Sequence, residues 1–216
     1  MNLNEYFDKI YCINIDRRTD RWDNCLKEFE KHNIKVERFS AVDGNVNNHN
    51  LGYPYDNELA GAISHLNVIK KASELGLKNV LVLEDDVVFK DDLNNLFSEF
   101  VKQLPDNCDA FLFGGNHVGG RTKVSNNVSK TYRSYALHAY GVNQSGFEFI
   151  INYMEQKINK VIKEGKTVIK GSVAADFFMA DTQQILNWYC FTPHLAWQKE
   201  DFSDIQKNVV NYDFLK

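Results

Sequence analysis

Val80-Leu81-Val82-Leu83-Glu84-Asp85-Asp86 joins four consecutive large apolar residues to three consecutive acids. A continuous apolar run of this length reads as a strand covered on both faces, and such strands belong to sheets with helices packed above and below. Just upstream, Leu59, Ala62, Ile63, Leu66, Ile69 and Leu75 recur at helical spacing from a start near Asn57, with Gly76 as the expected stop. Residues 45–56 are rich in Asn, Gly and Tyr, contain Pro54 and show no period, which predicts a mobile loop beside a site.

Further back, Val36 to Val42 alternates and stops at the turn pair Asp43-Gly44. Trp22, Cys25, Leu26 and Phe29 recur at helical spacing, with Thr19 or Asp20 available as N-cap, and Lys9 to Ile15 is a buried first strand ending at Asn14 to Arg17. Downstream, the spacing predicts a helix from Asp92 to Leu104 and a strand Ala110-Phe111-Leu112-Phe113. A second mobile loop over 116–130 and a strand from Tyr135 to Val142 follow. Ser145 can cap a helix from Gly146 to Glu164, a short helix falls around Asp176 to Ala180, and Trp188-Tyr189-Cys190-Phe191 is a last strand. The polar residues from Gln198 onward are expected to wrap the outside. Strands alternating with helices imply one α/β layer domain over 1–216, with a largely parallel central sheet flanked by helices. In such sheets ligands bind outside the carboxyl ends of the strands, where Asn14 to Arg21, Asp43 and Glu84 to Asp86 all fall.

The chain has 216 residues, 44% of them hydrophobic, enough for one substantial core. Its net charge of −4 arises from interspersed signs, so no basic footprint for nucleic acid or anionic membrane is present. Neither a membrane span nor a signal peptide is read in it, and the expectation is a soluble, cytoplasmic or otherwise aqueous protein. Cys12, Cys25, Cys108 and Cys190 lie far apart without CxxC pairing, so buried free thiols are expected. The sequons at Asn127 and Asn143 are discounted in the absence of a signal.

Three adjacent carboxylates repel one another unless a cation offsets them. Few, hard oxygen ligands suit magnesium or manganese, which keep waters and bridge to phosphate oxygens. If strand geometry persisted, Glu84 and Asp86 would face together and Asp85 elsewhere. The bland alternative is a solvated acidic turn. Arg17, Arg18 and Arg21 could fork onto a diphosphate, or could belong to a salt-bridged helix start beside Asp16, Asp20 and Asp23. His65 lies at the edge of its helix's apolar stripe and His138 shares a strand face with Ala136 and Tyr140; such histidines are more often hydrogen-bonded core residues than catalysts. Asp176, within Val173-Ala174-Ala175-Asp176-Phe177-Phe178-Met179, is either buried with a partner or kept for catalysis. Asp181 would lie on a different face of the same piece.

The ordered set Ile13 to Arg21, Ala41-Val42-Asp43-Gly44, Gly61-Ala62-Ile63-Ser64-His65, Leu83-Glu84-Asp85-Asp86-Val87, His138-Ala139-Tyr140, Asp176, Pro193 to Gln198 and Ser203-Asp204-Ile205 resembles glycosyltransferase family 25. This family includes lipooligosaccharide and collagen hydroxylysine galactosyltransferases. The resemblance implies a Rossmann-like GT-A fold, a UDP-sugar donor, commonly UDP-galactose, and a Mn2+ or Mg2+ ion. It implies Asp86 as direct metal ligand, Asp85 as a ribose or second metal contact, and Glu84 nearer the nucleotide. Asn14, Arg18, Arg21 and Asp43 would line the uridine and diphosphate end. Asp176 becomes the general base of an inverting transfer to a glycan or hydroxylysine-type protein acceptor. His194 or Gln198 would close the metal or diphosphate site, with His65 and His138 in acceptor or secondary roles. The family's Gly-Glu-x-Gly-Cys is only partly kept, as Glu58 and Gly61.

Three other readings compete with this one. A phosphoacceptor domain also places acids after buried strands, but needs an early acidic pair and a later lysine that do not occur here in order. A non-catalytic sugar-nucleotide or glycan-binding module would keep the fold without the chemistry, and a hydrolase acting on the donor would use water as acceptor. The sugar, the acceptor and the oligomeric state stay open.

Overall fold

A computed structural model describes residues 1–47, 49–165, 172–203 and 208–211, without the side chain of Phe202. The chain opens with α1 (Leu3–Tyr6), β1 (Lys9–Asn14), α2 (Thr19–Lys31), β2 (Glu37–Ser40), α3 (Tyr55–Glu74) and β3 (Asn79–Glu84). Next come β4 (Val87–Phe89), α4 (Leu93–Phe100), β5 (Ala110–Leu112), β6 (Asn116–His117), β7 (Arg121–Lys123) and β8 (Val128–Thr131). The described chain finishes with β9 (Ser134–Tyr135), β10 (Ala139–Asn143), α5 (Gln144–Glu164), α6 (Ala175–Thr182), β11 (Trp188–Phe191), β12 (Ala196–Gln198), β13 (Asp201–Ser203) and β14 (Asn208–Val210).

Eight strands form one sheet in the order β2-β1-β3-β10-β5-β11-β8-β7. β1 is parallel to β2 and β3, and β5 is parallel to β11. The remaining four pairings are antiparallel, so the sheet is mixed rather than largely parallel. The reason is β10, which enters between β3 and β5 in the opposite direction, with Tyr140 opposite both Val82 and Leu112. Otherwise the expected α/β, Rossmann-like GT-A arrangement holds, with helices on both faces.

Val80, Leu81, Val82 and Leu83 are all fully buried, and successive residues serve opposite faces. Val80 and Val82 pack with Leu59, Leu66 and Ile69 of α3 and Phe147, Ile150 and Met154 of α5. Leu81 and Leu83 pack with Cys25 and Phe29 of α2 and Phe97 of α4. Burying one such aliphatic side chain contributes roughly 1.5–3 kcal/mol. The second face also holds an aromatic cluster in which Phe97 and Phe113 stack with centroids 5.5 Å apart. Gly76, at φ +65°, ends α3 as expected, because the left-handed conformation costs glycine no Cβ clash.

Several local expectations change. The helix expected near Asn57 starts at Tyr55, and the described part of the loop before it is bonded to the first turn of that helix. Buried Asp56 accepts backbone hydrogen bonds from His49, Leu51 and Gly52. The 116–130 stretch, read as a mobile loop, contains β6, β7 and β8, the last pairing with β11. Its alternation was too short to register. The strand expected from Tyr135 to Val142 is two pieces broken at Ala136, whose φ is +70°. Ser145 does not cap α5; its hydroxyl donates to Asp109 at 2.7 Å, and α5 already begins at Gln144. Neither Thr19 nor Asp20 caps α2, whose N-cap is Arg18 without a side-chain bond. The helix after Asp92 tightens to a 3-10 turn at Val101–Gln103. All four cysteines are buried and free, as expected. The sequon residues Asn127 and Asn143 donate their amides to the carbonyls of Thr192 and Cys108. Among the described residues, no helix is long and apolar enough to cross a membrane. Asp204 and Ile205 lie outside the described residues.

Candidate active site

The parallel strands β1, β2 and β3 all end at one edge, with Asn14 opposite Ser40 and Ile13 opposite Glu84. Beyond that edge lies a cavity of about 590 Å³. Arg21, Asp43, Glu84, Asp85 and Asp86 line it, together with Asp176 from α6 and Gln198 from β12. The strand ends at Glu84, so the strict alternation expected for the three acids does not persist. Glu84 turns toward α3, while Asp85 and Asp86 turn together toward α2.

Arg21 Nη1 donates to Asp85 Oδ1, Nη2 to Asp86 Oδ2 at 3.1 Å, and Nε to Asp201 Oδ2 at 3.2 Å. Asp85 Oδ2 accepts from Asn14 Nδ2 at 2.6 Å. Asn14 is buried beneath the site; its Nδ2 also donates to the Arg18 carbonyl, and its Oδ1 accepts from Arg38 Nε. Asn14 therefore positions Asp85 and is not among the described residues lining the cavity. Cys25 adds a thiol hydrogen bond to the Asp85 carbonyl, and Lys199 N donates to the Asp86 carbonyl at 2.7 Å.

Burial, then the neighbouring charge of Glu84, lifts the Asp86 carboxyl to about 7 despite Arg21. Its Oδ1 finds no hydrogen-bond partner among the described residues. Burial also raises Asp85. Glu84 goes the other way: burial would raise it, but His65 Nε2, 3.2 Å from Oε1, holds it below the usual range. His65 Nδ1 meets the Tyr140 hydroxyl at 2.9 Å, so the histidine is a buried brace for Glu84 that also lines the cavity. Gln198 Nε2 approaches Glu84 Oε2 at 3.4 Å.

Asp176 stands in the first turn of α6, where Ala136 N approaches its Oδ2 at 3.4 Å and Oδ1 is unpartnered among the described residues. Burial raises its carboxyl to about 6. Asp181, on the same helix, faces elsewhere as expected and is held by Arg133, Tyr153 and Lys157.

Besides Asn14, three expected site residues stand apart from the cavity wall. Arg18 turns back to Asp20, with both contacts at 2.9 Å, and is not among the described residues that line the cavity. His138 is fully buried, donates from Nε2 to the Ala196 carbonyl at 3.0 Å, and is pushed by burial down to about 4. It is a core histidine rather than an acceptor contact. His194 meets His117 Nε2 to Nε2 at 3.1 Å and is likewise absent from the described lining. Among the described residues, no three His, Cys, Asp or Glu side chains are grouped to hold a metal ion.

Asp201 escaped the sequence reading, and Arg17 and Glu58 take more definite places than it gave them. Asp201 was assigned to an outer tail, yet β13 and β14 return to the cavity, which Ser203 and Val210 help to line. Arg17 fixes Asp43 through a 2.7 Å bond from Nε. Glu58 lines the cavity and accepts from Ser172 Oγ and Val173 N, both at 2.8 Å, so α3 holds the segment leading into Asp176. The one available signal for Glu58 was its place in the partly kept Gly-Glu-x-Gly-Cys pattern.

Residues 7–119 match the model of glycosyltransferase family 25, described as an LPS biosynthesis protein. A procollagen lysyl hydroxylase and glycosyltransferase of Acanthamoeba polyphaga mimivirus is 32% identical over 182 residues, covering 69% of this chain and 20% of the relative. Procollagen galactosyltransferase 2 of Homo sapiens is 33% identical over 121 residues, covering 48% and 19%. The chain thus spans about a fifth of the length of these relatives. The solved glycosyltransferase GlyE of Streptococcus pneumoniae superimposes with a TM-score of 0.49 at 10% identity, covering 85% of this chain and 45% of that one. The family match runs from β1 through the acidic triplet to β6, the segment that carries Arg21, Asp43 and Glu84 to Asp86 of the cavity wall, and the chain belongs to glycosyltransferase family 25.

Proposed function

We propose that this chain transfers a hexose, galactose or glucose, from a UDP-sugar to a hydroxyl of a glycan or hydroxylysine-type protein acceptor, with inversion. The observation that carries the reading is one cavity lined by Arg21 and the Glu84–Asp86 triplet on one side of the sheet edge and by Asp176 on α6. Arg21 and Asp43 suit the charged diphosphate and the ribose hydroxyls respectively. A carboxyl raised to about 6 is ionised at neutral pH yet still basic, which suits a general base. In the displacement, the acceptor oxygen bonds to the anomeric carbon as its proton passes to Asp176. The anomeric carbon's bond to the phosphate oxygen breaks, and UDP departs with the electron pair.

The residues fit a divalent cation. Asp86 Oδ1 is buried without a partner among the described residues, and its carboxyl is raised, as expected where a cation would relieve crowded negative charge. Mn2+ or Mg2+ needs only one or two protein carboxylates when phosphates and waters complete its shell, so Asp86, with Asp85 beside it, would hold it. When bound, such an ion stabilises negative charge on the departing diphosphate. His194 is not used in this arrangement.

The test is UDP release from a panel of UDP-sugars with Mn2+, with and without acceptors. Asp86→Ala is expected to abolish metal-dependent release, and full activity in that variant would sink the assignment. An Asp176→Asn protein that turned over normally would remove Asp176 as base.

A further inference from the structure

Tyr135 and Phe177 both line the cavity and stack with centroids 4.7 Å apart at 24°. Phe177 follows Asp176 directly on α6, and it is 36% exposed while its neighbour Phe178 is buried in the core. A large aromatic ring left at a cavity wall forgoes burial that the next residue obtains, and needs a reason beyond packing.

The Tyr135 ring is also held in place. Its hydroxyl accepts from Arg133 Nε at 2.8 Å, and Arg133 Nη1 reaches Asp181 Oδ1 at 3.3 Å. Asp181 is bonded in turn to Tyr153 and paired with Lys157, so α5 and α6 together fix the orientation of the pair. Asn116 and Ser172 add hydrogen-bonding groups to the same lining.

We infer that Tyr135 and Phe177 form the acceptor subsite, on which the apolar C–H face of a sugar ring rests with its reacting hydroxyl at Asp176. This rests on the glycosyltransferase reading above. A flat aromatic wall next to a carboxylate, with neutral polar groups nearby, matches a pyranose, which has an apolar face and an equatorial ring of hydroxyls. A hydroxylysine side chain would instead bring an ammonium group that needs an acid. Of the acids beside the pair, Asp181 is already bonded to Arg133, Tyr153 and Lys157, Glu58 accepts from Ser172 and Val173, and Asp176 is committed to the proton.

Two measurements test the inference, the second of them without turnover. With a UDP-sugar and methyl glycosides as acceptors, the ratio of transfer to donor hydrolysis is expected to fall about tenfold in Phe177→Ala, the effect of one lost ring contact. Phe177→Tyr, which keeps a ring, is expected to retain the ratio. An unchanged ratio in Phe177→Ala overturns the subsite. Saturation-transfer NMR with the same glycosides needs no turnover. Wild-type protein is expected to show contact to the ring C–H protons, which Phe177→Ala loses. If glycosides give no signal while a hydroxylysine peptide does, the inference is wrong and the peptide is the acceptor. If no UDP-sugar is turned over but glycosides bind through Phe177, the transferase reading fails and the subsite stands.

Discussion

Arg21 bridges to Asp86 through a 3.1 Å bond from Nη2 while its other nitrogens hold Asp85 and Asp201. The Arg21 and Asp86 side chains are only 11% and 12% exposed, so this pair is screened little by solvent. Removing one partner of such a pair strands the other charge. Arg21→Ala is therefore expected to lose about 3 kcal/mol of stability at neutral pH, measured by denaturant unfolding. Added Mn2+ should recover more of the loss in this variant than it adds to the wild type. An unfolding midpoint equal to that of the wild type would show that Arg21 is not balancing the acids.

Asp176 gives a pH prediction with a definite sign. Its carboxyl sits at about 6 in the folded protein, above its ordinary value, because of burial. A raised carboxyl contributes its full stability below the ordinary value near 4, and that contribution is lost as pH rises through about 6. Asp176→Asn should match the wild type near pH 4 and exceed it by about 3 kcal/mol at pH 8. Transfer by the wild type should rise through about pH 6 and then level, as the base loses its proton. The two profiles are read by unfolding at each pH and by initial rates; a rate that falls with pH across this range argues against a base at Asp176.

Much of this was legible because it rests on short-range patterns. Val80 to Leu83 announced a doubly covered strand, and acids directly after it had to stand at the sheet's ligand-binding edge. The insertion of β10 between β3 and β5 was not legible, since an apolar strand reads the same in either direction. The facing within the triplet departs from strand alternation because the strand stops at Glu84, freeing Asp85 and Asp86 to share Arg21. Asp201, 180 residues from Arg21, and Phe177 required the fold itself to bring them to the site. His138 is the buried, hydrogen-bonded histidine that its place on a strand face suggested, whereas the pairing of His194 with His117 across 77 residues could not be read from the sequence.

Gly114 links packing to the acidic triplet. A Cβ at this position would lie 2.2 Å from the Ala196 carbonyl oxygen, which also accepts from His138. Because the obstacle is backbone, β12 would have to move, and with it Gln198 and the Lys199 bond to Asp86. Gly114→Ala is expected to cost about 2 kcal/mol in denaturant unfolding. It should also weaken UDP binding measured by calorimetry. Unchanged stability together with unchanged UDP affinity would mean that β12 yields freely.

Glu58 should act on transfer through Asp176 without touching the reacting atoms. Its Oε2 accepts from both Ser172 Oγ and Val173 N at 2.8 Å, and Ser172 Oγ accepts from Ala174 N at 3.1 Å, one residue before α6 begins. Glu58→Ala leaves two donors unmatched and frees the segment that aims Asp176 into the cavity. A displacement of about 1 Å at a base costs on the order of a hundredfold in rate, so kcat for transfer should fall by about that factor. The donor KM should change far less, since Arg21, Asp43 and Asp86 are carried by other elements. Glu58→Gln can still accept both bonds and should restore most of the rate. If Glu58→Ala and Glu58→Gln lose activity equally, the carboxylate acts through its charge, and the positioning role is wrong. If the donor KM rises in step with the fall in kcat, Glu58 belongs to the donor site instead.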